Sequence, residues 1–194
     1  MLFCELKAYL SSQGWFNSIQ TGMSVDNEGA PIPYYTYSSI HFLATKINCD
    51  MKVFEYGSGN STLWWSQRVT TLVSCEHDPA WFQKCQEKMP DTVDYRLHEE
   101  AKDYTNTILE FKDTFDVIVI DGRHRVNCAE NAVLALKNEG VVVWDNSDRT
   151  EYQAGYDYLK EKDFKRFDFW GLGPLNSYQW CTSLFYRTKN CMGI

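Results

Sequence analysis

The chain has 194 residues, 44% hydrophobic and 23% charged, which suits one globular domain built around a single sizeable core. Its net charge of −7 argues against tracking a nucleic-acid backbone, which needs clustered Lys and Arg, so a small-molecule partner is expected instead. No stretch approaches the roughly 18 apolar residues of a membrane span, and the first ten residues, with Glu5 and Lys7, lack the apolar centre of a signal peptide.

In chain order, residues 2–10 read as a short helix, Gly14 and Gly22 break the segment after it, and residues 21–33, rich in Gly, Pro, Asp and Asn, read as a loop. A helix is expected over 38–47. Strands at 52–55, 70–75, 93–98, 116–120 and 140–144 then alternate with helices at about 61–68, 79–88, 100–111, 124–138 and 149–162. Val117–Ile120 and Val141–Trp144 are continuous apolar runs, as expected of parallel strands covered on both faces. Alternation of this kind predicts an α/β doubly wound, Rossmann-like sheet. The runs at 164–170 and 180–187 have no room for a helix between them and predict a closing antiparallel hairpin. The chain thus reads as one domain, 1–194, with 1–37 as an N-terminal cap or lid and 38–194 as the core.

Seven scattered cysteines (Cys4, Cys49, Cys75, Cys85, Cys128, Cys181, Cys191) form no C-x-x-C pair and indicate neither a disulfide framework nor a zinc cluster, so a cytoplasmic setting is expected. Aromatic residues make up 15% of the chain, which fits either a bulky core with homo-oligomer contacts or an aromatic-lined pocket. The acceptor pocket is expected to be roofed by residues 15–37 and by the loop 171–179.

The first strand ends as Glu55-Tyr56-Gly57-Ser58-Gly59, where glycine lets the backbone approach a ligand closely, and Asn60, Ser61 and Thr62 open the next helix. These three either meet a cofactor carboxylate or simply cap the helix. About twenty residues on, the second strand closes at Glu76, the spacing of an acidic group that holds ribose hydroxyls. A nicotinamide-binding turn would want a third glycine at Thr62.

Glu55-x-Gly57-x-Gly59, Glu76 and the terminal hairpin resemble the class I S-adenosylmethionine-dependent methyltransferases over residues 38–194. The family often has a third glycine where this chain has Ser61. The resemblance implies a mostly parallel seven-stranded sheet, a Gly57–Gly59 turn against the methionine part of the cofactor, and Glu76 on the ribose. Further cofactor contacts are expected from His77 and His98 around the adenine and from Tyr37 at the methionine end.

Asp121 ends the fourth strand, while Asp145 and Asn146 end the fifth, so the three should meet above the sheet. This Asp…Asp-Asn arrangement resembles the metal site of catechol-type O-methyltransferases, which implies Mg²⁺ on Asp121, Asp145 and Asn146. The alternative is that Asp145-Asn146 caps the helix near Thr150. His124 is placed to act as general base or substrate contact, or else to pack in the first turn of its helix. The reading is therefore methyl transfer, foremost to an oxygen of a small hydroxylated metabolite with Mg²⁺ assisting. Metal-free N- or O-methylation with His124 as base, and a catalytically silent cofactor-binding module, are the alternatives.

Overall fold

The computed structural model describes residues 2–194. Seven strands form one sheet in the order β3-β2-β1-β4-β5-β7-β6. They are β1 (Lys52–Tyr56), β2 (Thr71–Glu76), β3 (Val93–Leu97), β4 (Phe115–Ile120), β5 (Leu136–Asp145), β6 (Lys165–Gly171) and β7 (Trp180–Tyr186). The first five run parallel, and β7 enters antiparallel to both β5 and β6. The helices are α1 (Leu2–Ser12), α2 (Trp15–Thr21), α3 (Tyr37–Lys46), α4 (Asn60–Ser66), α5 (Pro79–Gln86), α6 (Ala101–Asn106), α7 (Arg125–Ala135) and α8 (Gln153–Glu161). This is the α/β doubly wound, Rossmann-like sheet that the alternation of strands and helices predicts, seven-stranded and closed by an antiparallel pair as the resemblance implies.

The two-residue repeat of a strand sends successive side chains to opposite faces, and β4 shows the result. Ile118 and Ile120 join Phe54, Val142, Trp144 and Cys128 on one side of the sheet. Val117 and Val119 join Val53, Leu43, Trp64 and Trp65 on the other. Both faces are thus sealed, and the polar strand ends are the natural place for a ligand.

Several boundaries differ from those read in the sequence. Gly14 and Gly22 do not merely break the chain: both take left-handed conformations, at φ 77° and 66°, and bracket the unexpected helix α2. The helix expected at 124–138 stops at Ala135, and β5 begins at Leu136, four residues before the strand expected at 140–144. Leu136 is buried against the sheet and pairs with Phe115, and the register then shifts. Gly140 makes room for this, since a Cβ there would lie 2.6 Å from the Leu136 side chain. The helix expected at 100–111 narrows to a 3₁₀ turn over Thr107–Glu110, and α8 is likewise preceded by one over Thr150–Tyr152.

Candidate active site

The turn after β1 lies at the centre of the strand ends. Gly57 has φ 91°, and a Cβ on it would sit 2.9 Å from the Gly122 nitrogen, so the turns after β1 and β4 touch backbone to backbone. Glu76, at the end of β2, is fixed by four donors. Its Oε2 accepts from the Ser58 N–H (3.1 Å) and hydroxyl (2.9 Å), and its Oε1 from the N–H groups of His77 (2.8 Å) and Asp78 (3.0 Å). The His77 ring nitrogen Nδ1 lies 2.8 Å from the same Oε1.

Two cavities open along this line. One, of about 330 Å³, is bordered by Gly57, Glu76, His77, Asp78 and Arg123. The other, of about 200 Å³, is bordered by Ser24, Tyr34, Gly59, Asn60, Ser61 and Leu175. Ser58, Trp81 and Asp121 belong to both, so the two form one trough with Asp121 at its waist. Trp81 is held over the turn by its indole N–H, which donates to the Ser58 carbonyl at 2.8 Å. The Asn60 side chain donates to the Ser24 carbonyl (2.6 Å), tying the segment before α3 to the start of α4.

Beneath the turn, Glu55 is fully buried. Its Oε2 accepts from Thr62 (2.5 Å) and Ser74 (3.0 Å), while Oε1 has no partner. Burial outweighs the hydroxyl donors and pushes this carboxyl up to about 7. Thr62 also accepts the Gly59 N–H at 3.0 Å, so its hydroxyl acts in helix capping.

At the ends of β4 and β5 the arrangement turns on Arg125, one helical turn after Asp121. Its guanidinium donates to the carbonyls of Gly122 (2.8 Å), Asp121 (2.7 Å) and Asp145, and to Asp121 Oδ1 at 3.1 Å. Asp145 is buried, and its Oδ1 accepts from Trp180 Nε1 (3.0 Å) and Thr182 Oγ1 (2.6 Å), both on β7. Burial raises both aspartate carboxyls, and the charge of Asp121 raises Asp145 further. Asn146 takes a left-handed conformation at φ 51°.

The donor set fits Mg²⁺ poorly. One oxygen of each aspartate already has a protein donor, and the positive charge between the two strand ends is a guanidinium held by three carbonyls. The trough, the close-approach turn and the acid on β2 lie in one line.

Of the other residues singled out in the sequence, three lie off the trough. His124 is exposed, with φ 51°, and lines neither cavity. His98 closes β3 beside Glu76 through a backbone bond (2.9 Å), with Nε2 unpartnered. Tyr37 is 3% exposed and packs with Ile40 and Leu43 in the core. Sequence reasoning missed Trp81 and the clamp of Arg125. Both carried a signal: Trp81 follows a Pro79 helix start just beyond the acid of β2, and Arg125 stands four residues after Asp121.

Residues 54–147 match a family described as "Methyltransferase domain". No curated protein matches the sequence. Among solved structures, the chain is similar to spermidine synthase from Thermotoga maritima, with a TM-score of 0.61 and 16% identity over 78% of this chain and 58% of that one. It thus spans little more than half of that neighbour's length. A precorrin-6y C5,15-methyltransferase from Geobacter metallireducens aligns with a TM-score of 0.60 and 14% identity, over 76% of this chain and 85% of that one. A Streptococcus mutans protein assigned as a methyltransferase, in complex with SAH, aligns with a TM-score of 0.57 and 13% identity over 77% and 96%. At such identities these likenesses speak to the fold.

Proposed function

We propose that this chain transfers a methyl group from S-adenosylmethionine to a heteroatom of a small acceptor, without a metal ion. The observation that carries the reading is that Glu76 and Asp121 border one continuous trough with the Gly57–Gly59 turn between them. In this reading Glu76 holds the ribose hydroxyls, His77 and Trp81 flank the adenine, and the turn with Asn60 and Ser61 faces the methionine end. The cofactor supplies an electrophilic methyl group on a sulfonium. The chain's own residues do the rest. Ser24, Tyr34 and Leu175 wall the acceptor side and exclude water, which aligns the acceptor, a contribution of ~7–11 kcal/mol in favourable cases. Asp121 stands at the waist as the proton acceptor, a role its position supports better than that of His124.

Mg²⁺-assisted O-methylation, implied by the catechol-type resemblance, is the rival reading, and the Arg125 clamp weighs against it. The seven free cysteines, including exposed Cys4 and Cys49, suit a reducing compartment. No helix among the described residues is long and apolar enough to cross a membrane. Calorimetric titration of the EDTA-treated protein with S-adenosylhomocysteine tests both parts of the proposal. Binding that is unchanged by Mg²⁺ supports it. A heat of Mg²⁺ binding lost in Asp145→Ala would restore the metal reading, and no binding of the homocysteine compound would sink the proposal.

A further inference from the structure

Resting on the methyltransferase reading above, we propose that Tyr95 is a positioning residue for the cofactor: it receives the Ser58 hydroxyl when a ribose hydroxyl takes that hydroxyl's place on Glu76. An ionised carboxylate offers about four lone-pair sites. Glu76 already has four donors on it, the Ser58 N–H and hydroxyl on Oε2 and the His77 and Asp78 N–H groups on Oε1. His77 Nδ1, at 2.8 Å, crowds Oε1 further. The chain itself therefore fills the carboxylate that is to hold a ribose. A ribose hydroxyl can bond there only by displacing one of the four donors.

Three of the four are backbone N–H groups held in place by their surroundings. The Ser58 peptide is pinned on both sides, its N–H on Glu76 and its carbonyl under the Trp81 indole N–H at 2.8 Å. Asp78 caps α5, its Oδ1 accepting from the N–H groups of Ala80 (2.9 Å) and Trp81 (3.0 Å), which fixes the backbone after Glu76. The Ser58 hydroxyl alone of the four can leave by rotation about one side-chain bond. Ser58 also borders both cavities of the trough.

Tyr95 stands where that hydroxyl goes. Its Oη lies 2.7 Å from Ser58 Oγ. While the Ser58 proton is on Glu76, the tyrosine is the donor in this contact, so the hydrogen bonds run from Tyr95 through Ser58 to Glu76. Once a ribose hydroxyl donates to Oε2, the direction reverses and Ser58 donates to Tyr95. The tyrosine proton then meets the sulfur of Cys85, a weak acceptor beside both hydroxyls. Neither state strands a donor, so the exchange avoids the cost of an unsatisfied polar group. The ring is fixed for this task by Phe82 of α5, with centroids 4.3 Å apart and planes inclined by 21°. Tyr95 lines neither cavity and so reaches the cofactor only through Ser58.

The test is a double-mutant cycle read by calorimetric titration with S-adenosylhomocysteine. Tyr95→Phe leaves the Ser58 hydroxyl without its second partner and keeps it on Glu76, so binding should weaken about fivefold, the scale of one hydrogen bond. Ser58→Ala removes the competitor, so binding should be as tight as in the unmodified protein or tighter. In the Ser58→Ala background, Tyr95→Phe should then cost nothing. A tyrosine that merely packs against Phe82 would cost the same in both backgrounds. Unchanged affinity in Tyr95→Phe, an equal loss in both backgrounds, or weaker binding by Ser58→Ala overturns this inference alone. Failure of S-adenosylhomocysteine to bind the unmodified protein overturns the methyltransferase reading, and this inference with it.

Discussion

Replacing Arg125 with methionine keeps much of the side chain's length and removes its fork of donors. In the structure that fork serves three carbonyl groups and one carboxylate oxygen, at the junction of the two strands that end in Asp121 and Asp145. Each buried acceptor left without a donor costs ~1–3 kcal/mol, and breaking a buried charged contact costs ~3–5 kcal/mol in all once water and relaxation recover part of the loss. The expected destabilisation of Arg125→Met is therefore about 3–5 kcal/mol. For a chain of this size that lowers Tm by on the order of 10 °C. Arg125→Lys should recover less than half, because an ammonium is a point donor and cannot span three carbonyls. Urea unfolding, with the slope m held constant, measures the loss directly. A change below ~1 kcal/mol in the methionine variant would refute the reasoning, since the carbonyls would then have other donors.

Three other outcomes are expected from the same geometry. Glu76→Gln should weaken S-adenosylhomocysteine binding by roughly tenfold or more, the scale of one charged hydrogen bond, in a calorimetric titration; unchanged affinity would place the ribose elsewhere. Gly57→Ala puts a Cβ 2.9 Å from the Gly122 nitrogen at a φ of 91°, so cofactor binding should be lost and thermal melting should fall; a variant with wild-type affinity would contradict the close-approach turn. Glu55 has its carboxyl raised from 4.5 to about 7 by burial, so the folded chain binds a proton that the unfolded chain has released across that window. Its contribution to stability is thus complete below about pH 4.5 and is lost as pH rises through about 7, by up to roughly 3 kcal/mol. Urea midpoints of the wild type should fall across that range relative to Glu55→Gln, and parallel curves would count against the assignment.

The parallel half of the sheet was legible because Val117–Ile120 and Val141–Trp144 are apolar runs whose only comfortable place is between two layers. The glycine turn and Glu76 were legible for a related reason: backbone approach and charge at a strand end are local properties of the sequence. What could not be read depends on partners distant in the chain. Residues 136–139 look helical in composition, and Leu136 joins a strand because Phe115 and the space above Gly140 receive it. Asp145 looks like a free ligand until Trp180 and Thr182 arrive from β7. Arg125 looks like surface charge until the carbonyls of two strand ends converge on it. His124 shows the converse, a suggestive residue type that the start of α7 leaves in the open.

The placing of β7 between β5 and β6 has a consequence for synthesis. As the chain leaves the ribosome, β6 emerges before the strand that joins it to the sheet, and β5 waits with one edge uncovered. Glu76, the glycine turn and Asp121 can meet at that stage, because all lie on strands already made. Trp180 and Thr182, which hold the Asp145 carboxylate, are translated after every residue that lines the trough. A nascent chain therefore brings Glu76, the glycine turn and Asp121 together before the buried Asp145 carboxyl has its donors from β7.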